Sequence, residues 1–412
     1  MKRTLLFFAL TFLLAGCNSI PGQKSVNADD LDTIVRRTID ACTAKLKLAA
    51  AEVADSLSYP SYGLKDGREP HWRTVSSKNW VSGFWPGCLW YGYALTGDPE
   101  MERLAKRWTA GIEQEKFNTG THDLGFRFMC TFGKGMIFDE ELAGAYKPVI
   151  LQAAQTLSGL YHPEFGALCS DWDSAEAKKR LPDSTPCVID IMMNLEILFW
   201  ASRNGGDPAL YDKCISHAQT TWRDFVREDG GTYHVVRYDK KTGAILEKNQ
   251  IQGNVQESTW SRGHSWLVYG LVVCYRFTHD EVWLSRAKKA ADYFIRNINS
   301  DGIANWDFQS SENYTDASAS AVVCSALYEM TSFLPEGREK AYYKAQADRM
   351  LSALCSPDYF CAAGSPCLLD HSVRFFHSHA KSDDTTQDPN LDEPCSFADY
   401  YFMEALYRYK NL

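Results

Sequence analysis

Apolar residues recur three and four apart through most of the chain, and strict alternation of apolar and polar positions is scarce. That periodicity predicts helices rather than strands. A loose unit repeats along it: an apolar, aromatic-rich helix, a short break containing Asp, Pro or Gly, and a more amphipathic helix. Cys88 to Leu95 breaks at Gly97-Asp98-Pro99 and resumes toward Trp108. Ile189 to Ser202 breaks at Gly205-Gly206-Asp207-Pro208 and resumes toward Trp222. His264 to Phe277 breaks at His279-Asp280 and resumes through Ala287 to Phe294, and Ala317 to Phe333 breaks at Leu334-Pro335-Glu336-Gly337 and resumes toward Leu354. Leu31 to Val53, the stretch after His122, Leu142 to Leu157 and a last helix after Cys395 bring the total to about twelve. The breaks are too irregular for a short-period solenoid. Six pairs with apolar inner and amphipathic outer helices predict an all-α (α/α)6 barrel; an open helical array is the other arrangement this pattern permits. Two long connections, Tyr161 to Pro186 and Asp229 to Glu257, hold Trp, His and charged residues. Ordered connections of such length are usually functional.

The N-terminus follows a different rule. Lys2 and Arg3 precede an apolar run from Thr4 to Ala15, too short to span a bilayer, and then Leu14-Ala15-Gly16-Cys17. This resembles a bacterial lipoprotein signal over residues 1–17, with Cys17 as the lipidated residue. Residues 18–29, with Pro21, Gly22 and Ser25, suit a polar tether, leaving 30–412 as a single catalytic domain. A lipid anchor at Cys17 would hold that domain at a membrane surface, periplasmic or cell-surface.

Composition narrows the classes further. At 45% hydrophobic and 23% charged residues the chain can build a large core. Its net charge of −9 excludes nucleic acid as the expected partner, since phosphate binding needs a basic face. Of 13 cysteines, Cys88, Cys274 and Cys324 fall in apolar helical patterns, whereas Cys355, Cys361, Cys367 and Cys395 lie near loops and are the disulfide candidates. No spacing makes a zinc site; His371, His377 and His379 are the nearest approach to a ligand cluster.

Four constellations carry candidate chemistry. Trp80-Val81-Ser82-Gly83-Phe84-Trp85-Pro86-Gly87 suits a rim on which sugar rings stack, although a single Trp such as Trp85 can simply be core. In His122-Asp123-Leu124-Gly125-Phe126, Asp123 either caps a helix or faces a site. In Val188-Ile189-Asp190-Ile191-Met192-Met193 a carboxylate sits within an apolar run, which is costly unless it is paired or protonated. Desolvation would raise its pKa and fit it to donate a proton. In Trp260-Ser261-Arg262-Gly263-His264-Ser265-Trp266, Arg262 and Trp266 share a helix face, so an Arg fork can grip a carboxylate while the Trp flanks a ring. His234 and Gln252, just upstream, can add donors to the same cavity.

Together and in this order, these segments resemble the unsaturated glucuronyl hydrolases, glycoside hydrolase family 88, from about Leu31 to the closing Ala398-Asp399-Tyr400-Tyr401-Phe402-Met403-Glu404-Ala405-Leu406. The resemblance implies an (α/α)6 barrel and a hydrolase that hydrates the C4=C5 double bond of the terminal unsaturated uronate in glycosaminoglycan fragments made by lyases. It places the catalytic carboxylates on Asp123 and Asp190. Substrate contacts fall on Trp80, His122, Trp172, His234, Gln252, Arg262, Trp266 and Lys381. The chain departs from the family at His264, where Gln is usual, and at Ser378-His379-Ala380-Lys381, where a sulfate-contacting motif would carry Gly. The implied chemistry needs no metal or organic cofactor. Asp190, protonated by its apolar setting, would deliver a proton to C4; water would add at C5, and Asp123 would orient the site. Competing readings are an unsaturated rhamnogalacturonyl or galacturonyl hydrolase, an epimerase-like barrel, and a carbohydrate-binding lipoprotein, which would leave Asp190 without a role.

Overall fold

The computed structural model describes residues 28–54, 57–65, 71–170, 173, 175–312, 314–375 and 392–412. The proposed signal, its Cys17, nearly all of the tether, Trp172 and the stretch holding His377, His379 and Lys381 lie outside the described residues.

Among the described residues, twelve helical segments alternate between two concentric rings, an (α/α)6 barrel. The outer ring is α1 (Ala28–Glu52), α3 (Pro99–Ala110), α6 (Ala143–Ser158), α9 (Ala209–Phe225), α11 (Glu281–Asn297) and α13 (Arg338–Leu354). The inner ring is α2 (Phe84–Thr96), an interrupted segment of α4 (Leu124–Phe128), a π turn (Met129–Gly133) and α5 (Lys134–Phe138), then α8 (Ile191–Arg203), α10 (Ser261–Thr278), α12 (Ala317–Phe333) and α14 (Ser396–Lys410). Each inner helix packs on the next, and α14 returns to α2 to close the ring. The division follows from the sequence pattern. All of α10 from Ser261 to Tyr275 is buried, whereas α11 buries one stripe, including Trp283, Leu284, Ala287, Ala291 and Phe294. A helix apolar on every side belongs inside, and one with a single apolar stripe belongs on the rim. Several breaks are built as their residues dictate. Gly97 ends α2 in the left-handed region, Asp98 caps α3 through the Glu100 N–H (2.9 Å), and Pro99 opens it.

One end of the barrel's interior is sealed by charge. Glu404 of α14 accepts hydrogen bonds from Tyr91 (2.6 Å), Tyr269 (2.9 Å) and Ser325 (2.8 Å), with Lys134 and Arg408 at 3.3 and 3.5 Å. Arg408 continues to Glu329 at 2.5 Å, and Arg276 links Glu329 to Glu196. Burial pushes the Glu404 carboxyl up, but Arg408 and Lys134, with the hydroxyl donors, hold it down at about 2.

The long connections do not stay irregular. β5 (Ser184–Val188), β6 (Val235–Asp239) and β7 (Ile245–Asn249) form an antiparallel sheet in the order β5-β6-β7, with Val188 opposite Val235 and Val235 opposite Asn249. Two hairpins, β1 (Tyr59–Leu64) with β2 (His71–Val75) and β3 (Tyr161–His162) with β4 (Ala167–Leu168), and a short helix α7 (Ala175–Arg180) also lie outside the two rings. The apolar run at Val188 is therefore a strand end running into a helix start.

The disulfide expectation is overturned. Cys355, Cys361, Cys367 and Cys395 are all free thiols, as are the other described cysteines. Cys367 and Cys395 are fully buried in the hydrophobic core, where they pack as small apolar residues.

Candidate active site

The sheet ends place three functional side chains together. Asp190 follows β5, His234 precedes β6 and Gln252 follows β7. The Ile189 N–H donates to the His234 carbonyl (3.0 Å) and the His234 N–H to the Asn249 carbonyl (3.1 Å), so the register fixes these positions. From the other side, the loop before α4 brings His122 and Asp123. Trp80 opens a 3-10 turn (Trp80–Gly83) that leads into α2. That turn lies hard against α4: a Cβ on Gly83 would meet the Phe126 carbonyl oxygen at 2.5 Å and Arg127 Cα at 2.7 Å.

The result is a cavity of about 400 Å³, within the range of sites for small ligands. Trp80, His122, Asp123, Asp190, His234, Gln252, Arg262 and Trp266 all line it. Trp80 stacks on Phe397 (5.4 Å, 27°) and Trp266 meets Phe126 edge-on (5.3 Å), so both rings are fixed before a ligand arrives. Trp85 is core, edge-on against Trp108. His264 is buried behind the site, with Nε2 at 2.9 Å from the Ala290 carbonyl.

The two carboxylates differ. Asp190 occupies the N-cap position of α8 and Asp123 that of α4, yet neither side chain caps its helix. Asp190 Oδ2 is buried without a hydrogen bond of good geometry, and His234 Nε2 stands 3.4 Å away. The Gln252 main-chain N–H donates to His234 Nδ1 (3.3 Å), which assigns the ring proton to Nε2, facing Asp190. Burial pushes Asp190 up, but His234, through its N–H and charge, and His122 outweigh it and leave the carboxyl below its ordinary value. Asp123 goes the other way. Burial holds it up, the Asp190 charge adds to that, and His122, Arg127 and the Thr121 hydroxyl (3.2 Å) only partly offset it. His122 Nε2 is 3.4 Å from Asp123 Oδ1, and its Nδ1 is held by Ser170 (3.0 Å). Burial alone therefore does not set the state of Asp190, because a histidine from a neighbouring strand end faces it.

Arg262 also departs from expectation. It is 2% exposed, with Nη1 on Asp316 (2.5 Å) and the Val373 carbonyl (2.6 Å) and Nη2 on the Arg374 carbonyl (3.0 Å) and Gln252 (3.3 Å). The fork is spent on the protein: Arg262 braces Gln252 and the chain at 373–374 and contributes a wall rather than an open grip. Sequence reasoning missed Ser170, Asn79, Tyr62, Trp260, Arg374, Phe375 and Phe397, which also line the cavity. Of these, Trp260 lay within a constellation and Ser170 within a long connection already singled out.

Comparison with known proteins agrees with this geometry. The profile of Glycosyl Hydrolase Family 88 matches residues 58–359. An unsaturated glucuronyl hydrolase of Formosa agariphila is 37% identical over 345 residues, covering 82% of each chain. An unsaturated chondroitin disaccharide hydrolase of Streptococcus pyogenes is 29% identical, covering 89% of this chain and 90% of its own. The crystal structure of an unsaturated glucuronyl hydrolase specific for heparin superposes with a TM-score of 0.82 at 31% identity, covering 92% of this chain and 98% of its own. A profile match over most of the chain, a relative of 37% identity and a shared barrel fold agree, and the chain belongs to glycosyl hydrolase family 88.

Proposed function

We propose that this hydrolase hydrates the C4=C5 double bond of the terminal unsaturated uronate on glycosaminoglycan fragments released by lyases, freeing the neighbouring sugar. The observation that carries it is the pair of half-buried carboxyls, Asp123 and Asp190, in one aromatic-walled cavity, one pushed above and one held below its ordinary range. Hydration of a vinyl ether needs a proton donor at C4 and an acceptor for the proton of the attacking water, and the pair supplies both. A carboxyl of the pair gives its proton to C4, and positive charge develops at C5 and the ring oxygen. Water adds at C5 as a carboxylate of the pair takes its proton. The C5 hemiketal opens, C1 becomes an aldehyde and the aglycone departs, leaving the pair with the one proton it began with. Trp80 and Trp266 wall the sugar ring, while His122, His234 and Gln252 face its polar edge. Two carboxyls that share a site share a titration, so the roles belong to the pair before they belong to either residue.

The protein works at a membrane surface in this reading, tethered through a lipid on Cys17 after the Leu14-Ala15-Gly16-Cys17 segment, in the periplasm or at the cell surface. The substrate test follows the ultraviolet absorbance of the conjugated enoate when purified protein meets chondroitin- and heparin-lyase disaccharides. Decay that disappears in Asp190→Asn supports the reading, and the order of rates names the preferred sugar. A flat trace on every disaccharide, with decay on rhamnogalacturonan fragments, would move the substrate to the galacturonyl class.

A further inference from the structure

The two ends of the barrel differ in what they carry. The inner helices begin around the cavity: Trp80 leads into α2, Asp123 into α4 and Asp190 into α8, while Arg262, Asp316 and Phe397 stand at the starts of α10, α12 and α14. They end at the opposite face, the base, beyond the buried network of Glu404, Arg408 and Glu329. α1 starts at that base. Asp32 and Arg36 of its first turns share a groove with Thr96 at the end of α2 and with Tyr409 and Lys410 at the end of α14. Outer helices begin there too, so aspartates at their starts ring the base. Asp98, Asp207 and Asp280 each accept from the N–H two residues on, at 2.9, 2.9 and 3.0 Å. Such an acidic rim adds no attraction to an anionic lipid surface, so the hold on a membrane falls to the tether.

We infer that the anchored protein stands base-down: the face at the start of α1 is turned to the bilayer, and the mouth of the cavity opens away from it. The inference rests on the lipid at Cys17 proposed above. Residues 18–27 separate that cysteine from Ala28, where α1 begins. Fully extended, the chain from Cys17 to Ala28 reaches at most about 40 Å. α10, 18 residues long, sets about 27 Å between base and mouth. Turning the mouth to the bilayer would consume most of the tether's full extension along the barrel wall and press the entrance against the headgroups. Every shorter span leaves the base nearer the lipid. With the base down, the rest of a bound oligosaccharide extends into open solvent, and the anchor sets no limit on fragment length.

The test uses the full-length lipidated chain in vesicles whose headgroups carry a short-range energy acceptor. A donor dye is attached at Asn411→Cys, exposed at the base, or at Ser76→Cys, exposed just before the Trp80 turn. The unsubstituted protein, whose described thiols are buried or half-buried, is the labelling blank. Transfer should be strong from position 411 and lost from position 76. Equal transfer, or stronger transfer from 76, would overturn the orientation. The ratio of rates on a disaccharide and on a longer lyase fragment should be the same for the anchored protein and for Cys17→Ser. A loss on anchoring that is confined to the longer fragment would also overturn it. Absence of fatty acid on Cys17, read by mass, removes the anchor and the orientation with it, whereas a lipidated protein that transfers best from 76 removes the orientation alone.

Discussion

Replacing Glu404 with Gln removes the negative charge on which one end of the barrel converges. Its size can be worked from two directions. The buried carboxyl is held at about 2 against an ordinary 4.5, which corresponds to roughly 3 kcal/mol of folded-state preference for the ionised form. Independently, removing one partner of a buried ion pair costs about 3–5 kcal/mol; Lys134 and Arg408 would face such a loss. Because the folded value lies below the unfolded one, this stabilisation is fully present above about pH 4.5 and drains away as pH falls toward 2. At pH 3 roughly 1.5 kcal/mol of it remains. Equilibrium denaturation of wild type and Glu404→Gln should therefore differ by about 3 kcal/mol at pH 7, with the gap narrowing by about half at pH 3. A gap that is absent, or equally wide at both pH values, would refute the charge-network reasoning.

Other consequences can be checked more briefly. Activity should be bell-shaped in pH: it falls on the alkaline side as Asp123, held up by burial, loses its proton, and on the acid side as Asp190, held down by His234 and His122, gains one. His234→Ala removes a group that holds Asp190 down, so the acid limb should move to higher pH, and an unchanged limb would break that assignment. Asp316→Asn leaves the buried Arg262 guanidinium without its counter-charge, and denaturation should show a loss of about 3 kcal/mol or more. Gly83→Ala forces a methyl group against the Phe126 carbonyl and Arg127 Cα; a loss of about 1–3 kcal/mol, with lower kcat, is expected from such overpacking. Cys17→Ser should abolish incorporation of labelled fatty acid and release the protein from the membrane fraction; labelling that persists would place the anchor elsewhere.

The barrel was legible because inner and outer helices differ in kind. α12 begins and ends where the apolar run Ala317 to Phe333 does, and the Gly-Asp-Pro break before α3 states its own capping. The β5-β6-β7 sheet was not legible: its strands are five residues each, set in connections rich in polar residues. At Val188 to Met193 a strand end and a helix start abut, and a continuous apolar run carries no mark of the change. That error hid the contact that matters most, since His234 reaches Asp190 only through strand pairing. For the same reason the sequence could show Arg262 beside Trp266 but not the Asp316 that occupies its fork. The thiols at 355, 361, 367 and 395 illustrate the converse: export and loop-like surroundings suggested bonding, yet all four are free, and 367 and 395 pack in the core as small apolar residues.

The central claim is that water adds at C5 rather than at the anomeric carbon. It is tested most directly by following enoate absorbance and released aglycone sugar in the same reaction, with Asp123→Asn and Asp190→Asn alongside. Hydration at the double bond predicts that absorbance falls no later than the sugar appears, one double bond lost per sugar released, and that both signals vanish in either variant. Sugar released first, while the absorbance of the unsaturated acid persists, would mean ordinary attack at C1 and would contradict the account.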